Sequence, residues 1–460
     1  MHRSDHEEQR GTIVNLPAKK TASKSYQQRL KAVIPGGAHT YSRGSDQFPA
    51  NAPEILSSGS GVYVKDAEGN EFLDFGMALR SVAIGYAESS VNNAAIQQVM
   101  AGNNLTRASL IELEAAERLT GMIASAEMVK FTKNGSTAVS AAVKLARAYT
   151  GRKLVLRCSD HPFFSFDDWF IGSTVINRGI PEEISGLTIT FPYNDAQALQ
   201  SILAEHGSGI ACLVMEAATT EEPVASIFEQ GKSYLNDVEL LCKKYGIVFI
   251  LDEMITGFRW HQYGAQALYN IQPDLTTFGK AMANGFSVAA VAGKRDIMDL
   301  GSIDEAGQER VFLLSTTHGA EMSGLGAFVA TMDFYDNHDV IGHMWEFGKK
   351  LKLLINRKAL EHGLKDNLIA SGFDCSPGVT LKDHDGKVSM LLRTLFMQEM
   401  LKSQVMMPWV SIAYHHGEKE LKHVERALDQ SLTIIRKALD DGIGQYLIGE
   451  PVKPVFRQYN

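Results

Sequence analysis

The sequence predicts an α/β protein built on a largely parallel sheet with helices on both faces. Short continuous apolar runs (Lys153–Leu156, Leu187–Phe191, Ile210–Met215, Ile247–Leu251 and Val288–Ala292) punctuate the middle of the chain. Helix-like segments such as Ser233–Lys244 separate most of them, the pattern of strands covered on both faces. With 460 residues, 45% of them apolar and 21% charged, the chain has material for two or three compact units and a large core.

The elements follow in order. The first ~25 residues are polar and read as an arm. Residues 61–69 and 70–76 alternate β-branched and aromatic side chains around Asp66-Ala67-Glu68-Gly69, a hairpin. Ser109-Leu110-Ile111-Glu112 is a capping box opening a helix. The β-α alternation occupies the middle, and after Gly326 it gives way to long amphipathic helices, including Met344–Arg357 and Glu418–Leu439. The expected organisation is an N-terminal arm with part of a small domain (1–59), a large α/β domain (60–325), and the remainder of a small α+β domain (326–460).

Composition excludes several classes of function. Lys and Arg total 45 against 53 Asp and Glu, a net charge of −8, and no basic block or arm interrupts the chain, so nucleic acid is not an expected partner. The polar N-terminus lacks the apolar core of a secretory signal, and no apolar run approaches the ~18 residues of a membrane span. Cys158, Cys212, Cys242 and Cys375 stand singly, without C-x-x-C spacing, which suits reduced thiols and a cytoplasmic location. Adjacent His415 and His416 do not share a helical face, so no metal is assigned.

Four islands carry residues suited to chemistry. Asn134, Gly135, Ser136 and Thr137 precede a helix-like Ala138–Thr150, where free N–H groups and hydroxyls meet the positive helix end and can cradle a phosphate. An ordinary N-cap is the alternative. Asp252 and Glu253 end the apolar run from Ile247, at the strand ends where open α/β sheets bind ligands; an Asp capping the next loop is the alternative there. Lys280 lies between Thr276-Thr277-Phe278-Gly279 and Ala281-Met282-Ala283-Asn284-Gly285, where desolvation would make it a nucleophilic amine and exposure would make it a surface lysine. The fourth, Ser315-Thr316-Thr317-His318-Gly319, reads as a second anion contact or a polar loop.

Phosphate cradle, strand-end Asp and downstream Lys occur in the order that pyridoxal 5′-phosphate requires. In IPGGAHTYSRG, LARAYTGR, LDEMITGFR and PDLTTFGK the chain resembles the class III, fold-type-I aminotransferases, nearest their glutamate-1-semialdehyde aminomutase branch, over almost its whole length. The resemblance implies a seven-stranded, mostly parallel sheet in the large domain. It also implies that Lys280 holds the cofactor as an internal aldimine, that Asp252 pairs with the pyridine nitrogen and that Met254 packs on one ring face. Asn134, Gly135 and Ser136 would bind the phosphate, Glu216 would lie near the cofactor, and His161 would take the stacking place. Thr317 would reach the phosphate of the neighbouring subunit, making a homodimer with shared sites. Arg43 would bind the substrate carboxylate. The implied reaction is a ping-pong transfer of an amino group from an amino-acid donor, glutamate foremost, to a carbonyl acceptor.

The sequence also departs from that family. His161-Pro162 stands where the family has an aromatic residue before His-Gly, and Leu79, followed by Arg80, replaces an aminomutase Trp. The loop around Pro408-Trp409-Val410-Ser411-Ile412 is shorter and lacks an acid, and Glu321 replaces an Asn. These substrate-side changes favour intermolecular transfer over the aminomutase reaction. Arg80, His318, Glu321, His415 and His416 are expected to line a polar acceptor site suited to a sugar or sugar acid. The alternatives are an aminomutase, other chemistry on the same cofactor such as epimerisation or decarboxylation, or a non-catalytic binding subunit. A nicotinamide-dependent dehydrogenase lacks its G-x-G-x-x-G.

Overall fold

The computed structural model describes residues 25–219, 221–304 and 306–460; the expected N-terminal arm lies outside them except for its last residue. β1 (Leu56–Ser60), β2 (Tyr63–Asp66) and β3 (Glu71–Asp74) run antiparallel. Their predicted turn closes because Asp66 Oδ1 accepts from the N–H groups of Glu68 and Asn70 at 3.0 and 2.8 Å, while Gly69 takes φ 89°.

β4 (Met128–Thr132), β5 (Leu154–Cys158), β6 (Thr188–Phe191), β7 (Ile210–Glu216), β8 (Val248–Glu253), β9 (Leu275–Phe278) and β10 (Ala289–Gly293) form the seven-stranded sheet that positions the site. Its order is β4-β10-β9-β8-β7-β5-β6. β10 pairs antiparallel with β4 and β9, and all other pairings are parallel. Every residue of β7 to β10 is buried, which is why β7, β8 and β10 read as apolar runs rather than alternating ones; β9, with Thr276 and Thr277 at its centre, does not read that way.

Helices cover both faces. Gly135–Thr150 lies on one, burying Ala138, Ala141, Ala142 and Ala146 among larger Val and Leu side chains; the alanines let it sit close to the sheet. It ends at Gly151, φ 67°, as a left-handed cap requires. The predicted helices are present at Leu110–Met122, with the Ser109–Glu112 capping box formed, and at Tyr234–Tyr245, Val340–Glu361 and Glu418–Asp441.

β11 (Leu368–Ser371) and β12 (Gly378–Leu381) make a hairpin, and β13 (Val405–Met406) joins β3 in parallel. The C-terminal segment thus completes a sheet begun by β1, β2 and β3, and residue 60 falls at the end of β1 within that sheet. Among the described residues no helix is long and apolar enough to cross a membrane. All four cysteines are free and buried.

Candidate active site

Adjacent parallel strands deliver two acids to one place. Glu216 ends β7 opposite Asp252 of β8, and Thr277 of β9 stands on the other side of Asp252. Asp252 is 2% exposed. Its Oδ1 accepts from the Met254 N–H at 2.9 Å and from Thr277 Oγ1 at 3.1 Å, which fixes the carboxylate and leaves Oδ2 for a ligand. Burial pushes its pKa up to about 6, against the pull of Lys280. Strand alternation turns Glu253 to the opposite face, where it accepts from the N–H groups of Ala265 and Gln266 at 2.7 and 3.0 Å and from Thr256 Oγ1 at 2.9 Å. Of the two predicted acids, Asp252 belongs to the site and Glu253 caps the following short helix.

Lys280 opens a 3-10 turn directly after β9, with φ 43°. Desolvation lowers its pKa, and the nearby charges of Asp252 and Glu216 oppose that fall. The Glu216 carboxyl is raised, by burial and then by Asp252, and it accepts from Thr219 Oγ1. The Glu216 N–H donates to His161 Nδ1 at 3.1 Å, so that nitrogen is the unprotonated one. His161 is 2% exposed and packs against Tyr193 and Phe164. Burial pushes its pKa down to about 4, so the ring is neutral near pH 7.

The predicted cradle faces this group. Asn134 caps the helix by accepting from the Thr137 N–H at 2.9 Å, leaving the first N–H groups, those of Gly135 and Ser136, without intrahelical partners. A side chain on Gly135 would put a Cβ 2.7 Å from Met254 Sδ, and one on Gly279 would put it at 2.6 Å. Met254 is therefore wedged between cradle and lysine turn, and both glycines are needed for that approach. Pyridoxal 5′-phosphate fits this donor set: helix N–H groups for the phosphate, the free Asp252 oxygen for a ring N–H, the Lys280 amine for the aldehyde.

The remaining predicted residues scatter. Arg80 faces Glu216, and its turn lies against the Lys280 turn. Arg43 is exposed on the short turn Tyr41–Arg43. Thr317 is exposed on its loop, its carbonyl held by Asn104 Nδ2 at 3.0 Å. The expected acceptor-site histidine His416 is instead a core residue. It is fully buried, stacked on Phe75 at 4.6 Å, and accepts from the Ala413 N–H at 3.0 Å. His415 lies against Glu88, and Glu321 is paired with Lys133 and Asn103 beside the cradle. Sequence reasoning passed over Thr277, Thr219 and Arg259. Thr277 and Arg259 were marked only by their place inside the quoted motifs, and Thr219 by nothing, because each acts through a contact that folding creates.

The class-III aminotransferase family model matches residues 41–366. The 3-aminobutyryl-CoA aminotransferase of Cloacimonas acidaminovorans is 29% identical over 91% of this chain and 98% of its own length. The glutamate-1-semialdehyde 2,1-aminomutase of Aquifex aeolicus is 30% identical over 91% and 99%. In fold the chain is similar to the FumI protein of Sphingopyxis sp. MTA144, solved with its pyridoxal phosphate, at TM-score 0.80 and 23% identity over 90% of this chain and 96% of that one. The chain belongs to the class-III aminotransferases, enzymes of fold type I whose cofactor is pyridoxal 5′-phosphate.

Proposed function

We propose that this enzyme moves an amino group from an amino-acid donor, glutamate foremost, to a separate carbonyl acceptor that is polar, a sugar or sugar acid. The observation that carries the reading is the convergence of Lys280, Asp252 and Glu216 at the strand ends opposite the Gly135-Ser136 cradle. Bound there, pyridoxal phosphate supplies an electron sink for the carbon bearing the amino group.

The chain's own residues do the rest. Gly135 and Ser136 orient the phosphate through backbone N–H groups, with Asn134 shaping the turn. Asp252 Oδ2 accepts the ring N–H, and its Oδ1 bonds hold it there. Met254 and His161 would hold the ring between thioether and imidazole. Lys280, with its pKa lowered by desolvation, releases and retakes a proton at Nζ and so serves as base and then acid. Arg43 takes the donor carboxylate. Thr317 serves the site of a second copy, so the working unit is a homodimer. Leu79 in place of a Trp, with Arg80 next to it, supports transfer between molecules over rearrangement within one.

The test is turnover with glutamate against a panel of keto sugars, keto-sugar acids and simple keto acids. Polar, hydroxylated acceptors are expected to lead. A preference for small apolar ketones, or isomerisation of glutamate-1-semialdehyde at a comparable rate, contradicts the reading.

A further inference from the structure

Arg80 reaches the Lys280 site on an unusual stretch of backbone. Met77, Ala78, Leu79 and Arg80 take φ of 41, 47, 62 and 68°, four consecutive left-handed residues with no glycine among them. Residues other than glycine disfavour this conformation, so the surroundings must hold the turn in place. Asp74 accepts from the Gly76 and Met77 N–H groups at 2.6 and 3.1 Å. Trp409 Nε1 donates to the Gly76 carbonyl at 2.9 Å, and Ser81 Oγ to the Ala78 carbonyl at 2.7 Å. Just beyond, Asn284 accepts from the Ala83 and Ile84 N–H groups at 3.1 and 3.0 Å and donates to the Gly85 carbonyl at 2.9 Å. The strained turn is thereby fastened to the segment that carries Lys280.

What the turn delivers is a guanidinium with no fixed partner. Arg80 Nε is buried and without an acceptor. Arg259, fully buried behind it, donates from Nη2 to the Arg80 carbonyl at 3.2 Å and from Nη1 to the Ile412 carbonyl at 2.6 Å, and its Nε is also without an acceptor. Among the described residues neither arginine forms an ion pair, and Glu216, the acid facing Arg80, is already engaged by Thr219 and Lys280. Two neighbouring guanidiniums, one half-buried and one fully buried, with no ion pair between them are costly unless they serve recognition.

The geometry assigns Arg80 the recognition of a carboxylate on the carbonyl acceptor, with Arg259 as the positioning residue that holds the turn through the Arg80 carbonyl. The planar fork of an arginine matches a carboxylate bidentately. The inference rests on the transaminase reading and deepens it: the acceptor is an acid, carrying its carboxylate away from the carbonyl, and not a neutral sugar.

The experiment uses holoenzyme first converted to its amino form by the donor, then mixed with a 4-oxo acid or the matching carboxamide. Single-turnover rates are read from the cofactor absorbance. The wild type is expected to prefer the acid by about 10²-fold, since a site built for a polar group rejects an analogue lacking it. Arg80→Leu is expected to abolish that preference, bringing the acid-to-amide rate ratio to about one, with Arg80→Lys between the two. Equal losses on both acceptors, or no preference in the wild type, overturn the inference. A second readout needs no turnover: succinate binding to the holoenzyme, followed by tryptophan fluorescence, should weaken at least about tenfold in Arg80→Leu, and unchanged binding overturns the inference. If neither protein transfers an amino group yet succinate binding depends on Arg80, the transaminase reading fails and the carboxylate site stands.

Discussion

At the scale of single residues, the site works by denying water to charged groups and then supplying selected partners. Asp252 has one oxygen fixed by Met254 N–H and Thr277 Oγ1 and the other free for the ring nitrogen. Asp252→Asn keeps the shape and loses the charge that holds the ring nitrogen protonated. Turnover is expected to fall by about 10²–10³-fold with donor binding little changed, and steady-state kinetics with kcat and KM separated checks it. His416 gives a pH prediction. Its folded pKa is pushed down from 6.5 to about 3 by burial, so between pH 6.5 and 3 the unfolded chain binds a proton that the folded chain refuses. Stability therefore falls as pH falls, by up to about 1.4 kcal/mol per pH unit for this group. His161, at about 4, adds the same sign over a narrower window. In His416→Phe the acid-side slope of unfolding free energy against pH, measured in urea, should be shallower by about one proton; an unchanged slope contradicts the assignment.

Elements set where those residues meet, and here Asn284 is the fastener. It satisfies two N–H groups and a carbonyl of the 83–85 strap, and it sits at φ 45°, a conformation that asparagine tolerates. Asn284→Ala leaves buried polar groups unpaired and is expected to cost about 2–4 kcal/mol, measurable as a shift of the denaturation midpoint, with amino transfer also slowed because the Arg80 turn loosens. Five of the seven sheet strands, the long helices and the cradle were legible because buried strands announce themselves as apolar runs and Asn134-Gly135-Ser136 announces a helix start; β4 and β9 were not, since Lys130 and the pair Thr276-Thr277 interrupt the apolar pattern. The reversed direction of β10 was not, since Val288–Ala292 is equally apolar whichever way it runs. Nor was the turn at Met77–Arg80 legible. Nothing in Met-Ala-Leu-Arg asks for left-handed backbone; the neighbouring Asp74 together with Trp409 and Arg259, both distant in sequence, impose it. His416 misled for the same reason: a polar residue type says nothing of the aromatic wall that folding places around it.

For the whole molecule, the shared site is the property to test. Thr317 lies exposed on its loop, while Ile96, Val99, Met100, Leu105, Leu110 and Leu113 leave apolar surface uncovered on the helices and loop nearby. A mass of twice the chain is expected from light scattering. Lys280→Ala and Thr317→Asp chains, each inactive alone, should regain activity when unfolded together and refolded, because one site of each hybrid pairs an intact lysine with an intact threonine. Absence of recovery contradicts sharing.

The most direct measurement is borohydride reduction of the holoenzyme followed by peptide mass mapping. A pyridoxyl adduct on Lys280, absent from Lys280→Ala, is the expected result. Reduced cofactor that washes free, or that sits on another lysine, would show that the cleft between Asp252 and Glu216 is not where this enzyme does its chemistry.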